Sequence, residues 1–134
     1  MNVTADTNLL CRLVLNDDPV QKGAVEQTFE RADLIVIVLA SLCEVCWVLR
    51  AQFGVKREHI ADAMRQLLLI PRIDVDKDAA GAGIEFLDLG GDFADGLIAF
   101  EGRRRGGKVF LSFDRGALRR LRRLGFAAEM PRVR

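Results

Sequence analysis

The sequence predicts an α/β fold, in which a central, mostly parallel sheet of four to five short strands is flanked by helices in a three-layer sandwich. Two patterns predict it. Short apolar runs rich in β-branched residues alternate along the chain with longer segments that carry apolar residues at helical spacing. One run, residues 34–39 (LIVIVL), is apolar throughout, which is typical of a parallel strand covered on both faces. The length of 134 residues, half of them hydrophobic, predicts one domain spanning residues 1–134.

Helix-start and helix-stop residues define the elements in the first half of the chain. A short N-terminal strand precedes a helix that opens on Asn8. The second helix is predicted to start at Pro19, with Asp18 as its N-cap residue, because proline is favoured at the first helical position. The apolar strand leads into a helix with one apolar stripe, which Gly54 ends, and the next amphipathic helix ends before Pro71.

Glycine turns divide the second half of the chain. Gly90 and Gly91 separate two predicted helices, Gly106 and Gly107 end the second of these, and Gly125 ends the last helix. In chain order we expect a strand at residues 2–5, helices at 7–15 and 19–31, a strand at 34–39, helices at 41–53 and 57–69, a strand at 73–75, helices at 79–87 and 93–104, a strand at 109–113, a helix at 115–124 and an edge strand at 126–128.

Four carboxylates lie where strand-like runs give way to the next segment. They are Asp6, Glu44, Asp95 and Asp114. The carboxyl ends of strands in an open parallel sheet line one edge, where the ligand crevice forms. Four acids at that edge would repel one another unless a divalent cation neutralised them, and Mg²⁺ or Mn²⁺ prefers carboxylate and water oxygens. The pattern therefore predicts a metal-dependent hydrolase.

Each of these acids also has an alternative interpretation as a helix cap. Ser41-x-x-Glu44 fits a capping box, and an aspartate precedes each of the helices predicted at 93–104 and 115–124. The cap interpretation is weakest for Asp6, because the asparagine two residues later is the better cap for the next helix. Asp6 also follows an apolar strand directly, and a carboxylate at a desolvated strand end needs a positively charged partner. Taken together, four acids at the same kind of boundary favour a metal site over four coincident caps.

Cysteine, histidine and motif content excludes several other kinds of site. Three cysteines, Cys11, Cys43 and Cys46, are an odd number, and the C-x-x-C they include has no second pair. His59 is the only histidine and is too isolated to complete a zinc site, so we expect the cysteines to be small buried residues. The chain has no G-x-S-x-G and no phosphate-binding G-x-x-x-x-G-K-S/T, which excludes the usual α/β-hydrolase and P-loop sites.

The sequence predicts neither a membrane span nor a secretory signal. The longest apolar run, residues 34–42, is interrupted only by Ser41 and is far shorter than the roughly 20 residues that a membrane span needs. The N-terminus has no basic region followed by an apolar stretch and a cleavage site. We expect a cytoplasmic protein without a membrane partner.

The charges behind the net charge of +1 are unevenly distributed along the chain. Residues 1–102 carry 9 Lys/Arg and 17 Asp/Glu, whereas residues 103–134 carry 11 and 2. A block this basic can hold phosphates, although it is also compatible with a solvated helix face. The RNA-binding candidates in this block are Arg103, Arg104, Arg105, Arg115 and Arg119.

Four motifs follow one another in the chain: residues 6–10 (DTNLL), 44–49 (EVCWVL), 92–99 (DFADGLIA) and 112–114 (SFD), together with Arg12 and residues 16–19. In this order and spacing they resemble those of PIN-domain nucleases, and most closely those of the VapC-type toxins of toxin–antitoxin pairs. The chain departs from the pattern at Gly96, where alanine is commoner, and at the unusually basic residues 103–105. We interpret Gly96 as a helix-weakening residue that affects stability rather than chemistry.

The resemblance implies an Mg²⁺- or Mn²⁺-dependent endoribonuclease that hydrolyses RNA through a metal-activated water. The acidic quartet of the family corresponds to Asp6, Glu44, Asp95 and Asp114, while Asn8, Ser112 and the flanking acid Asp92 support it. The implied partners are an RNA substrate, a cognate antitoxin and a second copy of the chain. Two alternatives remain open: a catalytically silent RNA- or protein-binding module that uses the basic C-terminal segment, and a phosphatase with Asp6 as nucleophile. The phosphatase would want a second acid where Asn8 stands.

Overall fold

The computed structural model describes residues 1–133, which form seven helices and five short strands. The elements are β1 (Asn2–Thr4), α1 (Thr7–Val14), α2 (Pro19–Arg31), β2 (Leu34–Val36), α3 (Leu39–Ala51), α4 (Arg57–Leu68), β3 (Ile73–Asp74), α5 (Lys77–Asp88), α6 (Phe93–Arg104), β4 (Phe110–Leu111), α7 (Arg115–Arg123) and β5 (Ala128–Glu129). The predicted α/β class is confirmed. None of the helices in this part of the chain is both long and apolar enough to cross a membrane.

The strands are all parallel and are hydrogen-bonded in two groups. One group has the order β1-β2-β3, with Val3 opposite Ile35 and Ile35 opposite Ile73. The other group pairs β4 with β5, with Phe110 opposite Ala128. Because the strands have only two or three residues each, the loops after them lie close to the sheet edges.

The second strand is shorter than predicted, because the apolar run at 34–39 is shared between two elements. Leu34–Val36 forms β2, Ile37 still donates its N–H to the Asp74 carbonyl, and Leu39 already begins α3. The helix therefore starts two residues before the predicted Ser41 and ends at Ala51. Continuous hydrophobicity cannot mark the point at which a buried strand becomes a buried helix.

Most of the other predicted bounds are confirmed to within one or two residues. Asp18 caps α2 by accepting from the Gln21 N–H, and Pro19 is its first residue. The turn glycines Gly54 and Gly125 have φ of +63° and +85°, a backbone conformation that glycine adopts without strain. Cys11 and Cys46 are buried, Cys43 is half-buried, and all three are free thiols.

Two helices in contact, α5 and α6, connect the two groups of strands. The larger core cluster covers β1 to β3 and includes buried residues of α1 to α6, whereas Phe86 of α5 belongs to a second cluster with α7 and β5. Gly96 makes the close approach of α5 and α6 possible, because a Cβ there would lie 2.5 Å from the Ala82 carbonyl oxygen. The first turn of α6 is thereby fixed against α5, and this turn carries Asp95.

Candidate active site

The sequence-predicted acids lie in two groups on the surface. Asp6 and Glu44, with Asn8, line an open cavity of about 440 Å³ between α1 and α3. Asp92 and Asp95 line a second cavity of about 370 Å³ between α3, α4 and the start of α6. Of residues 1–133, no polar or charged side chain is fully buried, so every one of these carboxylates keeps some access to solvent.

Asp6 is fixed by the start of α1. Its Oδ1 accepts a hydrogen bond from the Leu9 N–H at 2.9 Å, and its own backbone is extended, as an N-cap requires. The expectation that Asn8 caps this helix is wrong, because α1 begins at Thr7 and Asn8 lies in its first turn. The side chain of Asn8 is exposed and borders the same cavity as Asp6.

Glu44 has no role as a cap. The helix α3 begins at Leu39 with Val38 at the N-cap position and no side-chain cap bond, so the Ser41-x-x-Glu44 capping box is absent. Glu44 lies in the second turn, is exposed, and accepts no hydrogen bond from any of residues 1–133. Its carboxylate is therefore available to an external cation.

The charges of Asp6 and Glu44 both act on the thiol of Cys11. Burial raises the pKa of the Cys11 thiol, and the charges of Glu44 and Asp6 add to this rise while Arg12 opposes it. Burial therefore favours the neutral thiol over the thiolate. The remaining donors around this cavity are oxygens, which suit Mg²⁺ or Mn²⁺ rather than a soft metal.

The second group contains Asp92, Asp95 and Asp114. Burial raises the pKa of the Asp95 carboxyl, the charges of Asp92 and Asp114 raise it further, and Arg120 opposes the rise. Asp95 therefore carries a charge that is partly desolvated and is repelled by two neighbouring acids. A divalent cation would relieve both effects.

Asp114 and Asp92 are held in different ways. Asp114 caps α7, since its Oδ1 accepts from the Ala117 N–H at 3.0 Å, and its own N–H donates to Ser112 Oγ at 2.9 Å. Asp92 occupies the N-cap position of α6 without a side-chain cap bond. Its Oδ1 instead accepts from Arg57 at 3.1 Å, which gives this acid an ionic partner that Asp95 lacks.

Neither group forms a complete metal cage in the described residues. Across residues 1–133, no three His, Cys, Asp or Glu side chains are arranged closely enough to hold a metal ion. Asp6 and Glu44 line one cavity, and the charge of Asp114 acts on Asp95. The donor chemistry of both groups fits a hard divalent cation, since all available ligands are oxygens and Asp95 lacks an ionic partner within the described chain. The assignment of these four residues as ligands stays a prediction.

Two of the predicted RNA-binding arginines are engaged elsewhere. Arg104 contacts Asp76 and Glu101, and the guanidinium of Arg103 lies 3.7 Å from the centre of the Phe126 ring. Arg103 follows Asp95 by eight residues on α6, which separates them by about 12 Å along the helix axis. These two side chains are positioned to stabilise the far end of α6.

The other three predicted arginines are exposed. Arg105 lies at the end of α6, Arg115 directly follows Asp114, and Arg119 lies one turn further along α7. Arg115 is the one that adjoins the acids in sequence, and its contact with RNA stays a prediction.

Sequence reasoning missed two arginines that contact or adjoin the acids. Arg57 pairs with Asp92 across 35 residues, a separation that no local motif reveals. Arg120 acts on Asp95 and is half-buried. A local signal for Arg120 did exist, because Gly116 lies four residues before it on the same helix face and leaves room for a long side chain to fold back.

Comparison with known proteins adds one match. The family model described as PIN domain matches residues 3–124. The match begins in β1, ends directly after α7, and includes all four acids of the predicted quartet. No curated protein matches the chain.

Proposed function

Since the chain belongs to the PIN domain family, a nuclease-type fold, we propose that it is an Mg²⁺- or Mn²⁺-dependent endoribonuclease and the toxin of a toxin–antitoxin pair. The observation that carries the proposal is the state of the acids. Glu44 has an unused carboxylate, and Asp95 is partly desolvated beside Asp92 and Asp114. Two carboxylates without an ion-pair partner among residues 1–133 are expected of a site that gains its counter-charge from a bound cation.

The four acids have different roles in the proposed reaction. The cap bonds of Asp6 and Asp114 fix where their carboxylates point, and Glu44 and Asp95 add charge from α3 and α6. Bound Mg²⁺ or Mn²⁺ would lower the pKa of a water molecule and neutralise charge on the phosphoryl oxygens. Because water and not the 2′-OH is then the nucleophile, preference for RNA comes from binding shape and from single-strandedness. Asn8 and Ser112 would orient water or phosphate beside the acids.

The direct test is cleavage of single-stranded RNA with and without divalent cations. We expect activity with Mg²⁺ or Mn²⁺ and none in excess EDTA. Asp95→Asn should remove most activity, because the amide keeps the shape of the carboxyl but not its charge. Asp92→Asn is the matched control on the same helix turn and should be milder, since Asp92 is paired with Arg57. Full activity in EDTA, or an inactive Asp92→Asn beside an active Asp95→Asn, would contradict the proposal.

We further propose that a cognate antitoxin restrains this activity. Two exposed aromatic residues support a groove for an amphipathic partner segment: Trp47 on α3 is 61% exposed, and Phe53 just after it is 45% exposed. An arginine from that partner would neutralise the acids. Expression of the chain in its native host without the antitoxin should slow growth, and co-expression of its neighbouring gene should restore it. Unchanged growth with abundant folded wild-type protein would contradict the toxin assignment.

A homodimer is the third part of the proposal. Two exposed apolar side chains at the end of β4 support it, Leu111 at 61% and Phe113 at 66% exposure. Light scattering on the purified chain should give twice the monomer mass of 14.9 kDa. A mass that stays monomeric at all accessible concentrations would exclude the dimer.

A further inference from the structure

Arg120 differs from the other arginines of α7. Arg119, Arg122 and Arg123 are exposed, whereas Arg120 is half-buried and its side chain passes two glycines. A Cβ on Gly91 would lie 3.0 Å from Arg120 Cδ, and a Cβ on Gly116 would lie 2.9 Å from Arg120 Nη1. Larger residues at either position would displace the side chain. The two glycines therefore define its path.

A hydrogen bond fixes the orientation of this side chain. Arg120 Nε donates to the Leu89 carbonyl oxygen at 3.1 Å. Leu89 is the C-cap of α5, where unpaired carbonyls and the helix dipole favour a cation. The bond uses Nε and leaves the two terminal nitrogens of the guanidinium for other partners.

The guanidinium lies close to Asp114. Arg120 Nη1 and Asp114 Oδ1 both lie within 3.3 Å of the position that a Cβ on Gly116 would occupy. The charge of Arg120 also acts on Asp95, in opposition to Asp92 and Asp114. Within residues 1–133, Arg120 nevertheless forms no ion pair shorter than 4 Å. The cation is close enough to lower the repulsion between the acids but is not bound to either of them.

We propose that Arg120 is a built-in counter-ion for Asp95 and Asp114, a positioning residue that holds these acids together in the metal-free protein and competes with the divalent cation for them. The inference rests on the proposed function, because it assumes that these acids bind a cation. A fixed positive charge beside two metal ligands lowers their affinity for a divalent cation. Arg120 therefore keeps the site weak for metal and lets the cation enter and leave.

Mn²⁺ binding to the full chain, measured by the loss of the electron paramagnetic resonance signal of free Mn²⁺, tests this without an activity assay. Arg120→Gln removes the charge but keeps an N–H donor for the Leu89 carbonyl. We expect it to bind Mn²⁺ about tenfold more tightly than wild type. Arg120→Lys keeps the charge and should stay within about twofold of wild type. The matched control is Arg123→Gln, which makes the same charge change on an exposed part of α7 and should also stay within about twofold.

A second variant keeps the test decisive if Arg120→Gln does not fold. Arg120→Met removes the charge while its unbranched side chain can follow the same path, and it should raise Mn²⁺ affinity in the same direction. Equal or weaker Mn²⁺ binding by Arg120→Gln, or an equal gain in Arg123→Gln, would overturn the role of Arg120 while leaving the proposed function intact. Absence of Mn²⁺ binding by the wild-type protein would overturn both.

Discussion

Replacing Gly96 by alanine has two opposite effects on the free energy of unfolding. In an isolated helix alanine is more stable than glycine by about 1 kcal/mol, so propensity alone predicts a stabilised protein. In the structure a Cβ at this position would lie 2.5 Å from the Ala82 carbonyl oxygen and 2.6 Å from Phe86 Cβ. Real Cβ atoms do not approach other atoms this closely. The interpretation of Gly96 as a simple weakness of the helix is therefore incomplete.

The steric effect should be the larger of the two. Neither a backbone oxygen nor a Cβ can rotate away, so α5 and α6 must move apart along a buried contact. Overpacking of this kind costs about 1 to 3 kcal/mol, and the propensity gain offsets up to about 1 kcal/mol of it. We expect Gly96→Ala to lower the free energy of unfolding by up to about 2 kcal/mol, and the melting temperature by up to about 7 °C for a domain of this size.

Urea denaturation followed by far-UV circular dichroism, together with thermal melting, measures this change. Gly81→Ala is the matched control, because Gly81 lies in the middle of α5 and a Cβ there would meet nothing within 4 Å. It should stabilise the protein by about 0.5 to 1 kcal/mol. A stabilised Gly96→Ala protein would refute the close packing of α5 and α6 on which the prediction rests.

The remaining predictions concern the acids. Asp6→Asn and Asp114→Asn should each remove most RNA cleavage with little change in melting temperature, since asparagine caps helices as well as aspartate, whereas Asp6→Ala should also lose about 1 kcal/mol of stability. Unequal melting temperatures of wild type and the two Asn variants would contradict this. Asp95 has a raised pKa in the folded state, so ionisation of its carboxyl destabilises the folded protein. Its contribution to stability is fully present below the unfolded pKa and is lost as the pH rises through the folded pKa. In EDTA, Asp95→Asn should therefore melt higher than wild type at pH 7, and this gain should disappear below about pH 4. A gain that did not vary with pH would contradict the desolvation of Asp95.

Local signals in the sequence predicted the elements that have a residue at each end to mark them. The predicted helix at 93–104 matches α6 in both bounds, because a glycine pair precedes it and Gly106, at φ +99°, ends it. The start of α2 was equally clear from Asp18 and Pro19. By contrast, the start of α3 lies inside a run without polar residues. There the burial of Leu42 and its neighbours, and not a cap, decides where the helix begins.

The candidate site was predictable in its residue types but not in its pairings. Motif spacing placed Asp6, Asp92 and Asp114 directly before helices, where they are N-cap residues, but it did not show that Glu44 lies in the second turn of α3. The contacts of the neighbouring arginines come from distant parts of the chain: Arg57 pairs with Asp92 across 35 residues, and Arg120 donates to the Leu89 carbonyl across 31 residues. Which acid an arginine can contact depends on how α4, α5 and α7 pack against one another. Sequence periodicity and motif spacing do not predict that packing.

The helix-cap and metal-ligand interpretations of Asp6 and Asp114 do not exclude each other. Each cap bond uses Oδ1, and Oδ2 of neither residue accepts a hydrogen bond from residues 1–133. Each cap is favourable because the partial positive charge at a helix N-terminus attracts the carboxylate, and it leaves the second oxygen free. It also fixes the side-chain rotamer before any ligand arrives, which lowers the entropy that binding would otherwise cost. A capping aspartate with one free oxygen is therefore a better metal ligand than a freely rotating one.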